Sequence, residues 1–229
     1  MSEERKLKIK WYAHAAFSLE GSGVRIIADP YTPEKSGFKP IEDTADIVLR
    51  CAHDDSAHGN AEMIQGDPEI VTATWILGGG ISVKGIEISA IPTKESMRHK
   101  LEPRDNAMYR FTMDGLRILH FGDVGNRITE AQLDQMSDVD IAIVPAGGPP
   151  TIELGDLCDA LDVIKPKITI PMHYALPGCK FPKMLDVEDF TSRFQPESIF
   201  WGKDEVVNVS SATLPNSPQI WVLVATHAG

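Results

Sequence analysis

Positive charge is in short supply in this chain. Its 229 residues carry 22 Lys and Arg against 33 Asp and Glu, a formal net charge of −11. Nucleic acids and anionic membranes are held by concentrated basic faces, so this balance argues against both as partners. It leaves room for a local basic pocket that takes an anionic small molecule. Cysteine is scarce as well. Cys51, Cys158 and Cys179 are odd in number, widely spaced and without a CxxC pair, which gives no disulfide framework and implies free thiols in a reducing compartment. Long apolar runs are missing: residues 220–225 make a stretch of strand length only, far short of a membrane span. The N-terminus, Met1-Ser2-Glu3-Glu4-Arg5-Lys6, is charged and lacks the apolar core of a signal peptide. No repeat of fixed period and no low-complexity tract occurs. These absences describe a soluble, cytoplasmic protein.

What is present is ordinary globular material, with 42% hydrophobic and 24% charged residues and enough length for a sizeable core. Residues 7–11, 17–19 and 24–28 read as extended, and Glu20-Gly21-Ser22-Gly23 marks a hairpin turn. Residues 107–113 and 116–121 make a second hairpin across Asp114-Gly115. Between them, residues 61–64 suit a short helix, 70–76 and 81–91 are rich in strand formers, and 93–105 reads as a polar loop. Later, residues 129–136 read as a helix with Thr129 as N-cap. Residues 154–164 carry Leu154, Leu157, Leu161 and Ile164 at helical spacing, stopped by Lys165-Pro166. Strands at 141–144 and 168–170, a helix at 187–194 and short strands at 199–200 and 220–225 complete the chain. Strands dominate the first half and βα alternation the second, with no linker between, so the expectation is one α/β domain over residues 1–229.

Polar clusters follow directly on apolar strands. After Ile47-Val48-Leu49 comes a loop with His53, Asp54, Asp55 and His58; after residues 81–91 come Lys94 and Glu95; after Leu119-His120-Phe121 comes Asp123; after Ile170-Pro171-Met172 comes His173. Such residues also make plain turns and packed core histidines. Yet loops on one edge of a sheet converge, and imidazoles with carboxylates are the donors a first-row divalent cation takes.

The order of several segments resembles the metallo-β-lactamase-fold hydrolases, particularly their ascorbate-phosphate-lactonase-like branch. The matching pieces are Trp11-Tyr12-Ala13-His14-Ala15-Ala16-Phe17, Asp29-Pro30-Tyr31, residues 115–125 with His120-Phe121-Gly122-Asp123, Pro145-Ala146-Gly147-Gly148, and Ile170-Pro171-Met172-His173-Tyr174. The resemblance implies a four-layer αββα sandwich of two mixed β-sheets with a metal site at one edge. In that family a His-x-His-x-Asp-His motif, a separate histidine, a bridging aspartate and a final histidine bind two ions. Asp123 and His173 match the last two. The motif itself is degenerate: with one extra residue after the strand, His53, Asp55, Ala57 and His58 take its four ligand positions, and without it the ligands are lost. Lys94 or Glu95 stands where the separate histidine is expected, with His99 a few residues on.

The resemblance implies a metal-dependent hydrolase acting on an ester, lactone or phosphodiester of a small molecule through a metal-activated water. Its metal ligands would come from His53, Asp55, His58, Asp123 and His173. Asp55 and His53 would position the water, and Lys94 and His14 would face the substrate. Zinc, manganese or iron would serve, and the degenerate motif points to one ion at most. The competing expectation is a chain that has lost its metal and now binds or regulates. Homo-oligomerisation is left open.

Overall fold

The computed structural model describes residues 5–53, 55, 57–95, 104–181 and 184–229. The first hairpin forms where alternation places it. β1 (Leu7–Ala13) pairs antiparallel with β2 (Ala16–Gly21), which turns over Ser22-Gly23 into β3 (Val24–Ala28). Leu7, Ile9, Trp11, Phe17, Leu19 and Ile26 face the main core, while Tyr12, Ala16 and Ile27 fill a second cluster on the opposite face. This is the period of two expected of a sheet buried on both sides. A short helix α1 (Pro33–Ser36) follows, then β4 (Ile47–Arg50) and β5 (Glu69–Thr72), both parallel to β3.

The second sheet begins with an antiparallel meander: β6 (Ile81–Val83), β7 (Ile86–Lys94), β8 (Asp105–Met113) and β9 (Leu116–His120). Asp114 and Gly115 both sit at positive φ (50° and 78°), the two-residue turn whose twist suits a hairpin. Chain direction then changes. Helix α2 (Glu130–Gln135) leads to β10 (Ile141–Pro145), α3 (Leu154–Ile164) to β11 (Ile168–Met172), and α4 (Val187–Thr191) to β12 (Ile199–Trp201), with β10, β11 and β9 mutually parallel. Thr129 caps α2 through a reciprocal box with Gln132. β13 (Val206–Val209) crosses back to pair with β1, and β14 (Gln219–Val222) inserts between β11 and β12.

The result is two mixed sheets face to face, ordered β13-β1-β2-β3-β4-β5 and β12-β14-β11-β10-β9-β8-β7-β6. One apolar cluster runs through both, and Leu154, Leu157, Leu161 and Phe190 of α3 and α4 belong to it. The first sheet is covered on its other face by Tyr31, Phe38, Ile41, Ala61 and Ile64 from loops and single helical turns, so that outer layer is thin. Three sequence expectations shift. Residues 73–75 leave the strand and turn as a 3-10 element. Lys94 and Asp105 are the last and first residues of paired strands. Residues 206–209 form a strand that no local signal marked. No helix among the described residues is long and apolar enough to cross a membrane.

Candidate metal centre

The parallel strands β3 and β4 of one sheet and β9 and β11 of the other deliver their C-terminal ends to a common region, where α/β architectures gather functional loops. Five polar side chains meet there: His14 from the two-residue turn joining β1 to β2, Asp55 and His58 from the loop after β4, Asp123 after β9, and His173 after β11. All five are buried. His14 and His173 both have φ of 54°, a left-handed conformation uncommon for a side chain with a Cβ, which turns each imidazole inward off its strand end. The two backbones hold one another, since the His173 N–H donates to the His14 carbonyl (3.1 Å) and the Trp11 indole donates to the same oxygen (3.0 Å). Gly147 makes room for this corner, because a Cβ there would lie 2.1 Å from the His173 carbonyl oxygen.

The rings pack closely. Ring centroids are 3.8 Å apart for His14 and His173, 4.6 Å for His14 and His58, and 5.3 Å for His58 and His173. Asp55 is the orienting carboxylate: one oxygen takes His58 Nδ1 at 2.5 Å and the other accepts the Ala57 N–H at 2.9 Å. Asp123 lies between the other two, with Oδ1 3.4 Å from His173 Nε2 and Oδ2 3.8 Å from His58 Nδ1. His14 Nδ1, His58 Nε2 and His173 Nδ1 are buried with no hydrogen-bond partner among the described residues. A buried polar atom left without a partner is costly, so three in one place call for an occupant. Donor atoms of His14, His58 and His173, and again of Asp55, His58 and Asp123, lie within 4.8 Å of one another. Each group offers the donors a first-row divalent cation takes. His58 carries the arrangement typical of ligating histidines, with Nδ1 committed to a carboxylate and Nε2 open.

The electrostatics point the same way. Burial disfavours charge on His58, but the carboxylates of Asp55 and Asp123 outweigh it and raise the imidazole to about 10. Asp55 is itself buried, yet the His58 charge and its hydrogen bonds hold it well below the usual carboxylate range. Burial, then the neighbouring His58 charge, lowers His173 to about 3; burial and both neighbouring imidazoles push His14 well down. Without a cation, one proton on His58 answers two carboxylates. A cation would take that role and displace the proton.

A second layer lies behind the cluster; Asp29 and His120 stand in segments that carry the family resemblance, but no sequence signal assigned them a role at the site. Asp29, fully buried at φ 40°, accepts the Cys51 N–H (2.8 Å) and its thiol (3.0 Å), and its Oδ2 is 3.3 Å from His120 Nδ1. His120 also accepts the Gly122 N–H at 3.0 Å and lies against the Tyr109 ring, 4.9 Å between centroids. Gly122 is required here, since a Cβ would come within 2.8 Å of the Cys51 sulfur. Burial raises Asp29 to about 7 against the pull of His58 and Cys51, while it lowers His120 to about 3. This layer fixes the segment from His120 to Asp123, and so aims Asp123.

The remaining sequence candidates are not brought into the cluster. The His53 ring stacks on Trp75 (5.0 Å, 22°) in an outer pocket, because the loop turns it away from the strand ends that carry Asp123 and His173. Lys94 forms an exposed ion pair with Asp105 across the strand ends. Glu95 lines the cleft of about 140 Å³ that opens onto His14, Ala57, His58, Asp123 and His173. His99 lies outside the described residues.

Comparison with known proteins agrees with this geometry. Residues 8–173 match the β-lactamase superfamily domain. A UPF0173 metal-dependent hydrolase of Thermoplasma acidophilum is 30% identical over 188 residues, covering 73% of this chain and 83% of that one. A second, from Archaeoglobus fulgidus, is 27% identical over 210 residues, 80% of this chain and 89% of the other. Among solved structures, a Thermotoga maritima protein assigned as a Zn-dependent hydrolase of the metallo-β-lactamase superfamily superposes with a TM-score of 0.75 at 26% identity, over 95% of this chain and 98% of that one.

Proposed function

From the premise that the chain belongs to the metallo-β-lactamase superfamily of metal-dependent hydrolases, we propose that it hydrolyses an ester, lactone or phosphodiester of a small molecule with a single zinc, manganese or iron ion. His58, Asp123 and His173 would hold the ion, with His14 completing the set. The observation that carries this reading is the trio of buried imidazole nitrogens without partners beside two carboxylates. A divalent ion so held would polarise the scissile group and bring a water's pKa toward neutrality. The chain's own residues do the rest. Asp55 fixes the His58 ring and stays anionic at neutral pH; the sandwich walls keep bulk water from Asp123 and His173; and the 140 Å³ cleft admits the reacting end of a substrate. His53 does not join this set, and the reading takes a single ion.

One observation favours a second reading. His58 already has an internal counter-ion in Asp55 at 2.5 Å, so the cluster is partly self-neutralised without metal and could serve a binding or regulatory protein. Elemental analysis of protein purified without chelators or immobilised-metal columns separates the two. About one equivalent of transition metal per chain, removed by a chelator together with hydrolysis of p-nitrophenyl acetate or bis-p-nitrophenyl phosphate, is the expected result. Absence of native metal together with no uptake of added zinc or manganese would sink the hydrolase reading. Ala57→Asp adds a carboxylate beside His58 on the cleft wall and should tighten zinc binding in titration calorimetry.

A further inference from the structure

We propose that Trp75 and the Asn106 carboxamide form a substrate subsite outside the metal cluster, which takes a planar, uncharged, carbonyl-bearing group. The proposal rests on the hydrolase reading and names the distal part of the substrate that the buried cleft is too small to hold.

Trp75 is 68% exposed, an unusual state for so large an apolar ring. It is not on a floppy segment. It ends the single 3-10 turn Ala73–Trp75, whose first residue is fully buried and which packs against β7 and β8. One face of the indole is covered by the His53 ring, 5.0 Å away and nearly parallel. A ring held rigidly, stacked on one side and bare elsewhere, is a platform for another flat group.

Trp75 walls a pocket of about 530 Å³, within the range of small-molecule sites, together with Leu77 and Pro92. Asn106 of β8 contributes to the same pocket and is only 1% exposed. Its Oδ1 takes the Thr93 hydroxyl at 3.5 Å, but its Nδ2 has no partner among the described residues. A buried amide donor without an acceptor, on an apolar pocket wall, calls for a carbonyl or comparable oxygen from a ligand. Gln132, Asn126, Lys94 and Asp105 at this wall are already engaged. Gln132 donates to the Pro92 carbonyl (2.6 Å), Asn126 accepts the Lys94 N–H (2.7 Å), and Lys94 and Asp105 neutralise each other. With its charges paired, the pocket offers no selective term for an ionic ligand.

The pocket is also connected to the chemistry. Thr74, Trp75 and Asp105 are shared with a neighbouring pocket of about 500 Å³ that reaches His53, Asp55 and Glu95. Asp55 belongs to the metal cluster, and Glu95 lines its cleft. A substrate with its planar carbonyl group on Trp75 and its scissile bond at the cluster would follow this continuous path. His53, displaced from the ligand role its motif position suggests, becomes the backing for the platform.

The test uses the full-length protein after chelator treatment and again after reloading with manganese. Benzamide is titrated while the Trp75 indole N–H is followed by ¹H–¹⁵N NMR, with the peak assigned from Trp75→Phe. A saturable shift is expected. Trp75→Ala, at an exposed position that should not disturb folding, should weaken benzamide binding by about tenfold as read by ligand-observed NMR. Asn106→Leu should do likewise, and cyclohexanecarboxamide should bind far more weakly than benzamide. No saturable shift, or equal binding of the flat and the puckered amide, would overturn the proposal. In the manganese form, Trp75→Ala should raise KM for p-nitrophenyl acetate without changing it for vinyl acetate, and an equal change for both would count against the subsite. If neither ester is hydrolysed but benzamide still binds through Trp75, the subsite stands and the hydrolase reading fails.

Discussion

The Asp55–His58 pair offers the most direct check on the electrostatics of the centre. Asp55→Asn keeps the shape and removes the charge, but its single carbonyl oxygen can accept from His58 Nδ1 or from the Ala57 N–H and not from both. The pH-dependent part of the change is therefore the one that reports the charge. His58 is raised to about 10, above the ~6.5 expected in the unfolded chain. Such a group contributes stability that is fully present below the unfolded value and is lost as pH rises through the folded one. With these two values the linkage relation gives about 5 kcal/mol at pH 6 and about 1–2 kcal/mol at pH 9, in line with the cost of breaking a buried pair. The same pair holds Asp55 below its usual range, so this stability is also lost in acid, as pH falls through the folded Asp55 value. Urea denaturation of metal-free protein should therefore show wild type above Asp55→Asn at pH 6, with the gap narrowing by pH 9 by at most ~3 kcal/mol, since Asp123 and Asp29 still hold part of the His58 charge in the variant. The His58 Cε1 proton should hold its charged-state shift through neutrality in wild type and titrate at lower pH in the variant. Equal stabilities at pH 6, or a gap that does not change with pH, would refute the pairing.

His173→Ala should abolish uptake of zinc or manganese in titration calorimetry, whereas His53→Ala should leave it nearly intact, because His53 stacks on Trp75 outside the donor set. His120 is buried neutral and lowered to about 3, so the unfolded chain takes its proton first and stability falls with pH below ~6.5; the loss reaches about 3 kcal/mol at pH 4 and should shrink in His120→Gln, measured by denaturation of metal-free protein. Cys51, Cys158 and Cys179 are all free thiols. In native protein a thiol reagent should reach the half-buried Cys158 and Cys179 far faster than Cys51, which is sealed against Asp29 and pushed up by burial; all three at one rate would contradict the packing.

Local rules wrote much of this fold into the sequence. The hairpin turn at Asp114-Gly115, the Thr129 cap and the three-and-four-residue apolar spacing of α3 depend on residues near one another in the chain, so they could be read without knowing the tertiary structure. So could the strand ends at Leu49, Phe121 and Met172 that release polar loops, and the pairing of Asp123 with His173 through the family resemblance. Strand β13 could not, because Val206–Val209 is a strand only by virtue of β1, whose pairing residues lie about two hundred positions away.

The site divides along the same line. Sequence alone determined which donors are available and that His58, Asp123 and His173 follow strands. It did not determine where each loop residue points, because an irregular segment has no fixed period to assign its side chains to a face. Only the tertiary structure put His14 within ring contact of His173 and turned His53 out onto Trp75. It also built the Asp29, Cys51 and His120 layer behind Asp123. The His14–His173 and Asp29–His120 contacts join segments of different sheets, and the His53–Trp75 stack joins the loops after neighbouring strands β4 and β5. The first two come into being only when the two sheets close over their shared core.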